Sequence, residues 1–307
     1  MKEFCYRLVI GVLLLVLFSP AVLAMSSTNY EIDWDSMNIG GEDTSSSTNY
    51  QIRDTLGEIG TGVSSSLNYE ARAGYRQGIK EIPLMNFSLS TQDNSSQATY
   101  SAFDNAGKQV TVSSTTGYAV NDYIAVIENK GGSQLVALGK ISSIAALVIT
   151  VDKWSGDNGS MNAVPTGGDD YVYELNGSAA QLGTLLASTV KTAVTQIEVT
   201  TNTSSGYTCT ITEDGNLRTI AGAVIGDVTD GTVTADNDEY GISTTGDDAA
   251  GISDFAITSG NTNVAVRATF GNEMRTAVIY QAAISPATSA LAANYSHTVA
   301  YIATANF

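Results

Sequence analysis

The chain is short of cysteine, histidine, proline and positive charge, and each shortage closes off a class of function. Cys5 and Cys209 are the two cysteines. Cys5 falls in a leader expected to be removed, which leaves an exported chain with one thiol and no internal disulfide. A chain this long can stand on buried apolar surface without such staples. Cys209, between Tyr207 and Ile211 in an alternating run, reads as a small buried apolar residue. His297 is the sole histidine, so histidine-rich zinc sites are excluded by count. A hydrolase would have one candidate base, and no Gly-x-Ser-x-Gly elbow accompanies it. Its place in an alternating run with Tyr295 and Val299 points to a structural role. Ser188-Thr189-Val190-Lys191 fits a Ser-x-x-Lys pattern, but the companion motifs of penicillin-recognising enzymes are missing. No Gly-x-x-x-x-Gly-Lys-Ser/Thr phosphate loop occurs. Carboxylates are so plentiful that a glycosidase-like pair carries no weight by itself. These readings together lead us to expect a protein that is not an enzyme.

Basic residues number 14 against 31 acidic, a net charge of −17. Nucleic acid is therefore an unsuitable partner, and anionic lipid likewise, because phosphate recognition needs clustered Lys and Arg. Only four prolines occur, and long runs rich in Thr, Val and Ile favour strands over helices.

What is present begins with an address. Lys2 and Arg7 precede the apolar run Leu8–Phe18, and Val22-Leu23-Ala24 supplies small residues for a signal peptidase. The run is short for a membrane span, so residues 1–24 read as a secretory signal peptide. Nothing later is hydrophobic enough to span a bilayer as a helix, and the expected location is the extracellular cell surface or the medium. Next, Ser26-Ser27-Thr28-Asn29-Tyr30 returns as Ser46-Ser47-Thr48-Asn49-Tyr50 and as Ser65-Ser66-Leu67-Asn68-Tyr69, the tyrosines 20 and then 19 residues apart. A fixed period of that size implies one hairpin-sized unit used three times over 25–80.

The remainder reads as strands. Residues 81–107 look like a polar connector with weak strands around Phe87 and Tyr100. Over 108–178, Val110–Ser113, Tyr123–Glu128, Leu135–Ile144 and Leu147–Val151 alternate or run apolar, with a Gly131-Gly132 turn. This stretch resembles the small SH3-like barrels of exported proteins. Residues 179–194 form a linker in which Gln181–Lys191 suits a helix or a strand. From 195 to 307, Thr195–Thr201, Tyr207–Thr212, Asn263–Phe270 and Tyr295–Phe307 show period-two alternation, separated by Gly-, Asn-, Asp- and Ser-rich turns. That is the pattern of an antiparallel β-sandwich with one wet face per strand. The fold class expected is all-β throughout.

Acidic turns supply the only metal candidates. Hard cations such as calcium take several oxygen ligands, and Asp227, Asp230, Asp236, Asp238 and Glu239 sit in turn-like stretches without EF-hand spacing. Ordinary Asx turns account for the same residues.

The layout as a whole resembles uncharacterised bacterial cell-surface proteins. It combines a signal peptide, Ser-x-Asn-Tyr repeats and a sandwich carrying Thr201-Asn202-Thr203-Ser204-Ser205-Gly206-Tyr207-Thr208. The ending from Asn294-Tyr295-Ser296 to Thr304-Ala305-Asn306-Phe307 is similar too. The resemblance implies an exposed structural or adhesive role and brings no catalytic motif. The leading expectation is a non-enzymatic surface protein that self-associates head to tail by strand addition, with the terminal strand or a Ser-x-Asn-Tyr repeat as donor, because no charged residue follows Arg275 to guard an edge. The alternatives are a glycan- or calcium-binding surface module, and an outer-membrane barrel suggested by the alternation from Val299 to Phe307.

Overall fold

The computed structural model describes residues 84–289 and 293–307 and, ahead of them, the backbone of three short strand pairs. The leader expected over 1–24 lies outside the described residues. The chain divides into two units, 1–82 and 83–307. In the first, Ser26–Ser27 pairs with Tyr30–Glu31, Ser45–Ser46 with Gln51–Ile52, and Gly62–Ser65 with Glu70–Ala73, all antiparallel. Each copy of Ser-Ser-x-Asn-Tyr thus connects the two strands of one pair.

The second unit is nearly all β. Its first half holds β1 (Met85–Thr91), β2 (Ala98–Asp104), β3 (Gln109–Val112) and β4 (Tyr123–Glu128). These are followed by β5 (Leu135–Ala145), β6 (Val148–Val151), β7 (Ser155–Gly156) and β8 (Tyr171–Glu174). The second half holds β9 (Lys191–Thr201), β10 (Tyr207–Glu213), β11 (Leu217–Arg218) and β12 (Val224–Asp227). It closes with β13 (Glu239–Gly246), β14 (Thr262–Arg267), β15 (Gly271–Ala283) and β16 (Val299–Ala305). Among the described residues no helix is long and apolar enough to cross a membrane.

Six of the early strands close on themselves in the order β4-β8-β2-β3-β6-β5, with β5 returning to β4. The interior is filled by residues such as Val110, Ile124, Val126, Ile149 and Val172. Phe103 and Trp154 pack there with ring centroids 5.0 Å apart. The ring needs β2, which pairs with both β8 and β3 and removes two edges that would otherwise be left open.

In the connector expected over 81–107, the strands around Phe87 and Tyr100 are present and more fully paired than the weak strands expected there. That stretch contributes β2 to the ring and β1 to a different sheet. Its alternation, Met85-Asn86-Phe87-Ser88-Leu89, is clean but carried by few apolar residues, so the polar composition hid the strength of the pairing. The expected linker differs. Residues 181–190 hold only an isolated bridge between Leu186 and Thr189, and Lys191 already opens β9.

The other strands build two sheets. One has six strands in the order β11-β12-β13-β15-β9-β1, and the other has three, β14-β10-β16. Ile197, Val199, Ile242, Val278 and Tyr280 of the larger sheet meet Tyr207, Cys209, Ile211 and Val264 of the smaller in one core. The opposite face of the six-stranded sheet is not wet. Val194, Ala277 and Ile279 pack there with Ala125, Ile127, Val136, Leu138 and Tyr173 of the ring. The six-stranded sheet is thus the middle of three layers, and β15 from Arg275 to Ala283 is buried without interruption. Asn263–Phe270 is strand only as far as Arg267, and Phe270 stands 71% exposed beyond it.

Candidate functional site

The three-stranded sheet covers only part of the six-stranded face, and a cleft of about 1040 Å³ remains beside it. Leu89 and Thr91 of β1, Thr195 of β9 and Tyr280 of β15 line it from one sheet. Val299 and Tyr301 of β16 line it from the other, and residues 178–186 and 293–298 wall it. Strand alternation sets these positions. On β16, Val299, Tyr301 and Ala303 turn toward the core while Ala300, Ile302 and Thr304 are exposed.

Hydroxyl groups organise the cleft. The Tyr280 and Tyr301 hydroxyls hydrogen-bond to each other. Tyr240 stacks on Tyr280 at 6.4 Å and meets the His297 ring edge-on at 4.8 Å. His297 Nε2 lies 2.8 Å from the Tyr240 hydroxyl, and Nδ1 lies 3.1 Å from the Gly215 carbonyl oxygen. A neutral ring protonated at Nδ1 satisfies both, donating to Gly215 and accepting from Tyr240. Glu213 Oε2 is also 3.0 Å from Nδ1, but the Nδ1 hydrogen is aimed at Gly215, and this oxygen has no hydrogen bond of its own. Burial first, then the nearby Asp227 and Asp214, pushes the Glu213 carboxyl up to about 7. Burial also holds the His297 imidazolium below its ordinary value, because a buried charge loses its hydration. The Tyr295 hydroxyl and Asp227 Oδ1 are buried without partners.

A second polar cluster fastens the middle sheet to the ring. Arg275 is fully buried; its Nη1 and Nη2 donate to Asp152 at 2.8 and 2.6 Å, and its Nε to Glu198 at 2.7 Å. Tyr123 donates to the other Glu198 oxygen at 2.8 Å, and its ring faces the guanidinium. Lys153 pairs with Asp247 at 2.9 Å beside it. Sequence reading missed this cluster. The available signal was a single charge, Arg275, set in the apolar run toward Ile279, which implies a buried partner.

The five acidic calcium candidates are spread among local duties. Asp238 accepts from Ser285 N, Ser285 Oγ and Thr288 Oγ1 at 2.8, 3.0 and 2.7 Å. Burial raises its carboxyl, but those hydrogen bonds outweigh it and hold the group below its ordinary value. Glu239 accepts from Thr234 N at 2.7 Å, and Asp230 from Thr232 N at 3.1 Å. Asp236 takes a left-handed backbone, φ 69°. Asp227 joins the Glu213–His297 group instead, and burial raises its carboxyl. Among the described residues no group of three or more His, Cys, Asp or Glu is placed to hold a metal ion.

The Thr201–Thr208 segment is the turn from β9 into β10. Gly206 has φ +70°, and a Cβ there would fall 2.1 Å from the Arg267 carbonyl oxygen. Tyr207 donates to Asp248 at 2.8 Å, which in turn pairs with Arg267 at 2.8 Å. The motif is therefore accounted for by packing and hydrogen bonding. No family model matches the chain, and neither a curated protein nor a solved structure does.

Proposed function

We propose that this protein is an exported, non-enzymatic building block of a cell-surface layer, fibre or adhesive appendage, joined by strand addition. In this reading the strand ring is an SH3-like small barrel, the two facing sheets are an antiparallel sandwich, and the Ser-x-Asn-Tyr pairs are a repeat stalk. One observation carries it. β16 pairs with β10 along one side, and among the described residues no strand pairs with its other side. Its seven residues, Val-Ala-Tyr-Ile-Ala-Thr-Ala, contain no charge, Gly or Pro. An edge of this kind is a template for another chain's strand.

Light scattering and gel filtration of the chain from residue 25 onward test the reading. The expected result is concentration-dependent assembly that Ile302→Lys suppresses, since a lysine on the exposed face of an edge strand opposes pairing. A protein that stays monomeric at every concentration, and is recovered from cells only in the medium, would overturn it. The tyrosine-lined cleft favours one alternative, a glycan seat formed by Tyr240, Tyr280, Tyr295 and Tyr301. Binding on a glycan array that Tyr280→Ala abolishes would establish that reading, and an empty array, with and without calcium, would end it.

A further inference from the structure

We infer that the first contact in assembly is symmetric: β16 of one copy pairs antiparallel with β16 of a second copy, centred on Ile302. The inference rests on the assembly reading above and names its partner and geometry. The two sheets have four edge strands. β14 is covered by a neighbouring segment, with Ala250 N donating to Val264 O and Val266 N to Asp248 O at 3.0 and 2.9 Å. β11 is bridged by Ser296, and β1 is bridged at Thr91 by Gly177. β16 has no backbone partner along its free side among the described residues.

Charge selects the occupant. The chain carries −17 overall, so two copies repel over most of their surfaces. From Thr276 to Phe307 there is no Asp, Glu, Lys or Arg, so β16 itself brings no acidic side chain to the contact, and Asp214 stands beyond its first residue, at Thr298. A strand edge also carries alternating donors and acceptors, which makes it its own complement about a two-fold axis. The outer face supports the same arrangement. Ile302 is 47% exposed and Val266 43%, and the register aligns Val266, Thr208 and Thr304 in one row. Pairing centred on Ile302 sets it opposite its own copy and Ala300 opposite Thr304, merging two three-stranded sheets into one of six.

Cysteine cross-linking of the exported protein tests this. Opposed residues in an antiparallel pair lie within disulfide range, and the native Cys209 is fully buried, so it does not compete. Under mild oxidation Ile302→Cys is expected to form covalent dimers roughly tenfold or more faster than Thr208→Cys, as a held pair reacts at high effective concentration. Thr208 shares the outer face but lies on the middle strand. Mixing Ala300→Cys with Thr304→Cys is expected to yield the heterodimer. Assembly by sedimentation without the Ile302 cross-link, or with a cross-link through Ser90→Cys on β1 instead, would overturn the symmetric pairing and leave assembly standing. Sedimentation of the unsubstituted protein as a monomer would remove both.

Discussion

On its ring side the middle sheet is fastened by charge, whereas on its outer side it is closed by hydroxyls and a histidine. Arg275 directs three nitrogens to two carboxylates, Glu198 on β9 and Asp152 in the bend after β6. Within that cluster each charge has a fixed partner, although Gln196 Nε2 and Oε1 on the same face of β9 have none. Across the sheet, Tyr240, Tyr280, Tyr301 and His297 share weaker bonds around a cleft. Glu213 Oε2, Asp227 Oδ1 and the Tyr295 hydroxyl are left over. Fully satisfied polar networks rigidify, whereas a buried polar group left unpaired is costly. The two sides differ in what closes them, a guanidinium between carboxylates on one and hydroxyls around a cleft on the other.

The largest expected effect breaks the architectural side. Arg275→Ala leaves Asp152 and Glu198 facing each other without their cation, and removing one partner of a buried pair costs about 3–5 kcal/mol. Urea unfolding at neutral pH measures it. Adding Asp152→Asn and Glu198→Gln to Arg275→Met is expected to recover most of that loss, because the uncompensated charges go with the cation. A failure to recover would show that packing, and not charge, makes the joint.

The next effect separates turn geometry from turn composition. Gly206→Ala places a methyl against the backbone of Arg267 and Thr269 in a left-handed conformation, at a cost of about 2–3 kcal/mol. Gly183, with φ +74° and nothing within 4 Å of a built Cβ, isolates the conformational part. Gly183→Ala is expected to cost only about 1 kcal/mol. Equal losses at the two glycines would mean that the close approach at Gly206 is relieved by movement of the loop after β14.

Much of this arrangement was legible in the residue pattern, and the remainder was hidden for definite reasons. Tyr123–Glu128 and Leu135–Ile144 read as strands and are strands, because β-branched and aliphatic runs between turns leave few alternatives. The wet face expected of Thr195–Thr201 was not visible as buried. Glu198 and Gln196 are polar, and nothing local announces that the ring's Asp152 and Tyr123 lie against this face. Period two reports which residues share a face and not what covers it. The acidic turns illustrate the same limit. Asp238 and Glu239 are neighbours in sequence, yet one answers Ser285 and Thr288 while the other answers Thr234. The cleft was least legible, since Leu89, Thr195, Tyr280 and Tyr301 come from four separate strands.

The smallest expected effect sharpens the outer side through its two opposed titrations. Glu213 is raised from an ordinary 4.5 to about 7, so its contribution to stability is complete below about pH 4.5 and is lost as pH rises through 7. His297 is held below 6.5, so its contribution is complete above 6.5 and is lost as pH falls. As pH falls, folding is favoured by the proton that Glu213 takes up and opposed by the proton that the buried imidazole resists. The two titrations therefore offset one another in the wild type. Each single substitution uncovers the partner. Glu213→Gln is expected to lose stability relative to the wild type as pH falls from 7 toward 4.5, where Glu213 takes up its proton. His297→Gln is expected to gain relative to the wild type as pH falls below 6.5. Neither slope can exceed one proton, about 1.4 kcal/mol per pH unit. Asp227, raised in the same sense as Glu213, interacts with both groups, so the comparison is made in an Asp227→Asn background. Chemical unfolding at half-unit pH steps reads both slopes. Curves for the two variants that run parallel to the wild type would mean that Glu213 and His297 do not exchange this proton, and that the outer side is as fixed as the ring side.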